Sequence, residues 1–235
     1  MGYYTSYIIM IPAILIAMWA SFNVKSTYKK YSKVINSRGL TGAQVARQIL
    51  DMNGLNNVRV EHIAGDLTDH FDPRANVVRL SDTVYNNPSV AAVGVAAHEC
   101  GHAVQYQHDY FPMKIRAAII PATNFGSRLA VPLVIIGILI AAWSGASEVS
   151  EIIINIGLVL YSLVVFFQLI TLPVEFNASS RALKTLQTES ILSSDEMPGA
   201  RKTLRAAALT YVAALFTALA SLLRLIVISR SGRRN

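Results

Sequence analysis

His98-Glu99-Cys100-Gly101-His102 is the stretch on which the reading of this chain turns. It spells H-E-x-x-H inside residues 89–107, a run rich in Ala, Val and Gly that predicts a helix. On a helix, residues four apart share a face, so His98 and His102 present two imidazoles to one metal ion. Glu99 sits about 100° around the helix from His98, within reach of a water on that ion. Two imidazoles beside a carboxylate base are what zinc-dependent peptide hydrolysis requires. Cys100, between them, is the single cysteine of the chain, which excludes an intramolecular disulfide. It is expected to be a small packing residue, with no part in binding metal.

Outside the motif, composition sets the class. The 235 residues are 53% hydrophobic and 15% charged, against about 25% charged in an average soluble protein. With a mean hydropathy of +0.41, this balance predicts one membrane-integrated domain over residues 1–235. The net charge of +7 does not predict nucleic-acid binding. The basic residues gather beside apolar spans without aromatic interleaving, the usual mark of a membrane's cytoplasmic face.

Apolar stretches predict four spans, at about residues 4–22, 129–143, 152–172 and 206–228. The second is short unless the residues before it join its helix. No positive segment precedes the first, so a retained signal anchor is expected rather than a cleaved signal peptide. The fourth is rich in Ala, Thr and Ser, as close helix packing prefers, and its Arg224 is expected to snorkel toward an interface. Lys25, Lys29, Lys30, Lys33 and Arg38 follow the first span and place that flank in the cytoplasm. The link between the second and third spans carries Glu148 and Glu151 and no base, which suits the outer side. Residues 173–205, with Arg181, Lys184, Arg201, Lys202 and Arg205, then return to the cytoplasm. Arg230, Arg233 and Arg234 go against this pattern, since four crossings leave them outside. Either the tail is an exception or the fourth span does not fully cross.

The soluble portion is expected over residues 23–128 plus 173–205. Residues 41–53 predict a helix with an N-cap at Thr41 and an apolar face of Val45, Ile49 and Leu50, stopped by Gly54. Residues 57–63 alternate as a short strand, 66–74 read as a turn, and 76–80 (NVVRL) as a second strand. Helix, small sheet, then metal helix is the order of a zincin-type core. In such a core an edge strand beside the metal helix can receive a peptide by strand addition, and residues 76–80 are the candidate. An ordinary covered hairpin strand is the competing explanation.

A catalytic zinc takes three protein ligands and keeps one position open. His62 falls in a strand, His70 in a turn, and His108 off the ligand face of the metal helix. Glu175, in Leu172-Pro173-Val174-Glu175-Phe176, is better placed, just past the third span. Pro173 either opens a helix there or kinks one continuing from the span. The metal helix precedes the second span and Glu175 follows the third, so a two-span hairpin returns both to one membrane surface. Taken alone, Glu175 also fits a charge in the first turn of a helix; the hairpin favours a ligand.

Leu67-Thr68-Asp69-His70-Phe71-Asp72-Pro73, Val95-Ala96-Ala97-His98-Glu99-Cys100-Gly101-His102-Ala103-Val104-Gln105 and residues 172–182 together resemble the YugP-like membrane zinc metallopeptidases. The resemblance covers nearly the whole chain, including the number and order of spans, and that family is similar in plan to the HtpX-like and CAAX-prenyl gluzincins. It implies one Zn2+ ion held by His98, His102 and Glu175, with Glu99 as catalytic base. It also implies a polypeptide substrate and a multi-pass protein of the bacterial cell membrane whose site faces the cytoplasm. Ser179 departs from the wider gluzincin pattern, standing four residues past Glu175 where an aspartate commonly orients a ligand histidine. Asp69, Asp72 and Asn177 are then the candidates for that orienting role.

The expected fold is therefore mainly α, a four-span helical membrane protein with a small zincin-like α+β metallopeptidase core at the membrane surface. The expected function is a zinc metalloendopeptidase acting on membrane or membrane-proximal proteins. Tyr85, His70 and Arg181 have the chemistry to help stabilise an oxyanion. A non-proteolytic zinc-binding membrane protein is the main alternative, although structural zinc sites are usually closed by four protein ligands. A protease cutting within the bilayer would bury its motif in a span, whereas Gln105, Gln107, His108 and Asp109 lead this helix into water. A small transporter would need polar residues within its spans, and these are scarce.

Overall fold

The computed structural model describes residues 2–145 and 147–232, and side chains between residues 7 and 230 apart from Ala146. Arg233 and Arg234 of the basic tail lie outside the described residues. The elements follow in the order α1 (Gly2–Tyr31), α2 (Gly42–Met52), β1 (Arg59–Ile63), β2 (His70–Asp72), β3 (Val77–Ser81), α3 (Val90–Gln107), α4 (Phe111–Ser144), α5 (Glu148–Thr188) and α6 (Met197–Gly232).

Four of these helices, α1, α4, α5 and α6, are long and apolar enough to cross a membrane. They contain the expected spans and run well past them. Residues 111–128 join the second span in one helix, which removes its apparent shortness. In the same way α5 continues through Pro173, so of the two possibilities there the continuing helix is the one adopted.

The chain forms two compact units. One comprises Met1–Trp19, Ile115–Leu172 and Tyr211–Asn235. Its large apolar side chains face outward, among them Ile11, Leu15, Trp19, Ile135 and Leu139, a surface suited to lipid rather than water. Within it glycines set the helix spacing. A Cβ on Gly157 would meet the Ala130 carbonyl oxygen at 2.8 Å, and one on Gly137 would meet Ile154 at 2.5 Å. Close backbone approach of this kind is how helices associate where no hydrophobic effect drives them together.

The other unit comprises Ala20–Lys114 and Pro173–Thr210. α2 opens with a capping box: Thr41 Oγ1 accepts from the Gln44 N–H, and the Gln44 side chain accepts from the Thr41 N–H. Its Val45, Ile49 and Leu50 join the core formed around Ala92, Val93, Ala96 and Cys100 of α3. After the helix, Gly54 takes a φ of +71°, the left-handed conformation in which glycine ends helices at least strain.

The strands pair in the order β1-β3-β2, with β1 parallel and β2 antiparallel to β3. Two expectations fail here. Residues 66–74 are not all turn, because His70–Asp72 pair with Val77–Arg79 as β2. Asp72 fixes that hairpin by accepting from the Arg74 and Ala75 N–H groups and holding the Arg79 guanidinium at 2.9 Å. The second failure is the supposed edge strand at 76–80, which is the middle of the sheet. β3 is hydrogen-bonded on both sides and buries Val77, Val78 and Leu80, so it has no free edge to offer a peptide. Its run of adjacent valines fits a strand covered on both faces. The edges are β1 and β2.

Candidate metal centre

Ser89 opens α3 by accepting from the Ala92 N–H, and the helix then carries His98 and His102 on one face. Their rings stand 4.7 Å apart at 82°. Both Nε2 atoms point at the same oxygen of Glu175, at 3.2 Å from His98 and 3.5 Å from His102. The three ligand atoms lie within 4.8 Å of one another and could hold a metal ion. For bonds of ~2.0–2.1 Å in a tetrahedron, zinc ligands stand about 3.3 Å apart. The donor set fits zinc in identity and in spacing.

The two unassigned positions of the motif explain how α5 reaches α3. A Cβ on Gly101 would meet the Ala178 carbonyl oxygen at 2.7 Å, so only glycine allows the backbone of α5 so close. Cys100 turns to α2 and is fully buried, its Sγ 3.5 Å from the Ala46 carbonyl oxygen. Burial pushes its thiol pKa well up, which leaves an inert packing residue.

Outside the ligands, each imidazole has a partner at Nδ1. Ser179 Oγ lies 3.1 Å from Nδ1 of His98, so the serine occupies the orienting position where an acid was expected. For His102 the partner is Gln105, fully buried, with Oε1 at 3.0 Å from Nδ1. The Gln105 amide donates to the Val174 carbonyl and to Asn177 Oδ1. That leaves its oxygen to accept from the His102 Nδ1–H and assigns the Nε2 lone pair to a metal. Asn177 also accepts from Arg181 Nε at 2.8 Å, so it acts one step further out than foreseen. Asp69 and Asp72 do not orient either histidine: Asp69 accepts from the N–H and hydroxyl of Ser81, and Asp72 holds Arg79. Sequence reasoning missed Gln105, placing it among the residues that lead the helix into water, whereas it is fully buried. Its signal was a glutamine three residues after a ligand, on the same helix face.

Burial disfavours a charged His102, yet its hydrogen bond to Glu175 and the charges of Glu99 and Glu175 outweigh that, so its pKa lies above the ordinary value. Glu99 is 8% exposed and forms no hydrogen bond or ion pair with any described residue. Of the side chains considered for an oxyanion, Arg181 is engaged by Asn177. His70 faces the Thr68 carbonyl and Arg79, and Tyr85 packs edge-on against His62 at 5.5 Å. His62 pairs with Asp82, and His108 caps the end of α3.

Against known proteins, residues 6–230 match the family described as "Putative neutral zinc metallopeptidase". The chain is also 48% identical, over 223 residues, to a protein of Bacillus subtilis (strain 168) named "Putative membrane protease YugP". That alignment covers 95% of this chain and 96% of the relative. No solved structure matches the chain.

Proposed function

The chain belongs to this neutral zinc metallopeptidase family, and on that premise we propose that it is a membrane-embedded zinc metalloendopeptidase. His98, His102 and Glu175 hold one Zn2+ ion, and Glu99 is the catalytic base. The observation that carries this reading is the convergence of two imidazole Nε2 atoms and a buried carboxylate beside an uncommitted glutamate. When bound, zinc supplies Lewis acidity, lowering the pKa of a coordinated water toward ~7 and polarising a carbonyl. Glu99 removes the proton of the attacking water as its oxygen bonds to the peptide carbon, then gives that proton to the amine as the C–N bond breaks. Ser179 and Gln105 hold the imidazoles in the tautomer and orientation that this needs.

The substrate is a polypeptide, and the four apolar helices favour membrane or membrane-proximal proteins. The basic flank after the first span supports a site on the cytoplasmic face of a cell membrane. Both compact units then serve one working domain, and the order α2, sheet, α3 supports a zincin-like core. In that core β2 is the edge available to a peptide strand, since Phe71 packs on Tyr106 of α3 with ring centroids 5.9 Å apart.

Metal analysis and casein hydrolysis on purified wild type, Glu99→Gln and Glu175→Ala test the proposal. Glu99→Gln should keep its zinc and lose about 10²–10⁴-fold in rate, while Glu175→Ala should lose both zinc and cleavage. Wild-type cleavage by Glu99→Gln would remove the base from the mechanism. Full zinc and activity in Glu175→Ala would remove the third ligand.

A further inference from the structure

The spanning unit holds a polar feature that peptide hydrolysis leaves unused. Among its helices lies a cavity of about 340 Å³, walled by aliphatic side chains including Val134, Ile138 and Leu225, and by Tyr7, Tyr161 and Arg224. Arg224 places its guanidinium carbon 4.7 Å from the centroid of the Tyr7 ring, and its Nε is buried without a hydrogen-bond partner. The unit contains two acidic side chains, Glu148 and Glu151, both in the first turn of α5. Arg224 forms no ion pair with either, or with any other described residue.

A guanidinium among apolar side chains calls for an anion, and the face of Tyr7 covers only one side of it. Around a spanning helix, the anion present at the highest concentration is a lipid phosphate. The planar fork of arginine matches two phosphate oxygens at once. The phenol hydroxyls of Tyr7 and Tyr161 have no hydrogen-bond partner among the described residues and supply further donors. A choline or amine head group would instead bring a second cation beside Arg224. We propose that this cavity binds an anionic phospholipid, with the phosphate on Arg224 and an acyl chain along the aliphatic wall of α4 and α6.

The test is native mass spectrometry of the full-length protein with phosphatidylglycerol or phosphatidylcholine of identical chains. Wild type should retain phosphatidylglycerol about tenfold more tightly, the order of effect expected when a choline cation is brought within several ångströms of Arg224 at a partly exposed site. Arg224→Met should lose that preference and Arg224→Lys should keep part of it, with helix content by circular dichroism unchanged in both. If Arg224→Met does not fold, photolabelling of wild type decides. A diazirine-bearing phosphatidylglycerol should label peptides around Val134 and Leu225, and the phosphatidylcholine analogue should not. Equal binding of the two lipids, an unchanged preference in folded Arg224→Met, or labelling confined to other peptides would overturn the proposal.

Discussion

Ser179 and Gln105 engage Nδ1 of His98 and His102 and leave each Nε2 to the proposed zinc site. Each touches a proposed ligand rather than the ion itself, so on the proposed function its removal should loosen zinc without abolishing the site. Ser179→Ala and Gln105→Ala are expected to weaken zinc binding by about 10–100-fold, the usual effect of losing an orienting partner; chelator competition measures it. Gln105→Ala should cost more, because it also strands the Val174 carbonyl and Asn177, which accept from the amide. Proton linkage at His102 gives a further prediction. Its pKa is raised in the metal-free protein by Glu175 and Glu99 against the opposing effect of burial. The pair with Glu175 therefore stabilises the metal-free fold below the ordinary histidine value of about 6.5, and that contribution fades as pH rises through the raised pKa. Zinc needs the unprotonated ring, so its affinity should run the other way, falling as pH drops through that same raised value. Zinc affinity that is flat across this range would show that His102 carries no proton to displace.

Helix α3 was readable in the sequence because one element carried the motif, its small-residue packing faces and its start at Ser89. The contact with α5 was readable only through topology: Glu175 lies in a different helix, and nothing local to it distinguishes a ligand from a helix-end charge. Gln105 left only a weak signal, its place three residues past His102 on one helix face, because an isolated glutamine on a helix looks like a solvated residue until burial is known. β2 was hidden for a different reason. Its three residues stand between Asp69 and Pro73, where turn chemistry dominates, and the strand exists through its pairing with β3 rather than through any pattern of its own. Gly101 is the point at which α3 and α5 determine one another. Gly101→Ala keeps H-E-x-x-H intact yet puts a methyl group 2.7 Å from the Ala178 carbonyl oxygen. Overpacking of this kind costs about 1–3 kcal/mol. Because it forces apart the two helices that carry the proposed ligands, it should lower both the melting temperature and zinc occupancy. A variant with unchanged zinc content would mean that the helices yield elsewhere and that their spacing does not govern the site.

At the scale of the whole molecule, orientation is set by charge. Lys25, Lys29, Lys30, Lys33 and Arg38 flank the first span, and Glu148 and Glu151 occupy the link between α4 and α5. The first group favours the cytoplasm by about 1 kcal/mol for each cation near an anionic surface, while acidic residues contribute little to topology. Arg230 at the end of α6 pulls against this arrangement, as a lone described cation against a cluster of five. The balance predicts that residue 144 faces the outside and residue 194 the cytoplasm. Accessibility of introduced thiols can read this with little background, since the native Cys100 is fully buried and its thiol pKa is pushed up by that burial. Ser144 and Ser194 are both exposed, so Ser144→Cys and Ser194→Cys should each react once the membrane is permeabilised. On intact cells, a membrane-impermeant maleimide should label Ser144→Cys and spare Ser194→Cys. The opposite pattern would turn the molecule over and put the metal helix and its substrates on the outer face, and labelling of both on intact cells would mean that α5 does not carry the chain across.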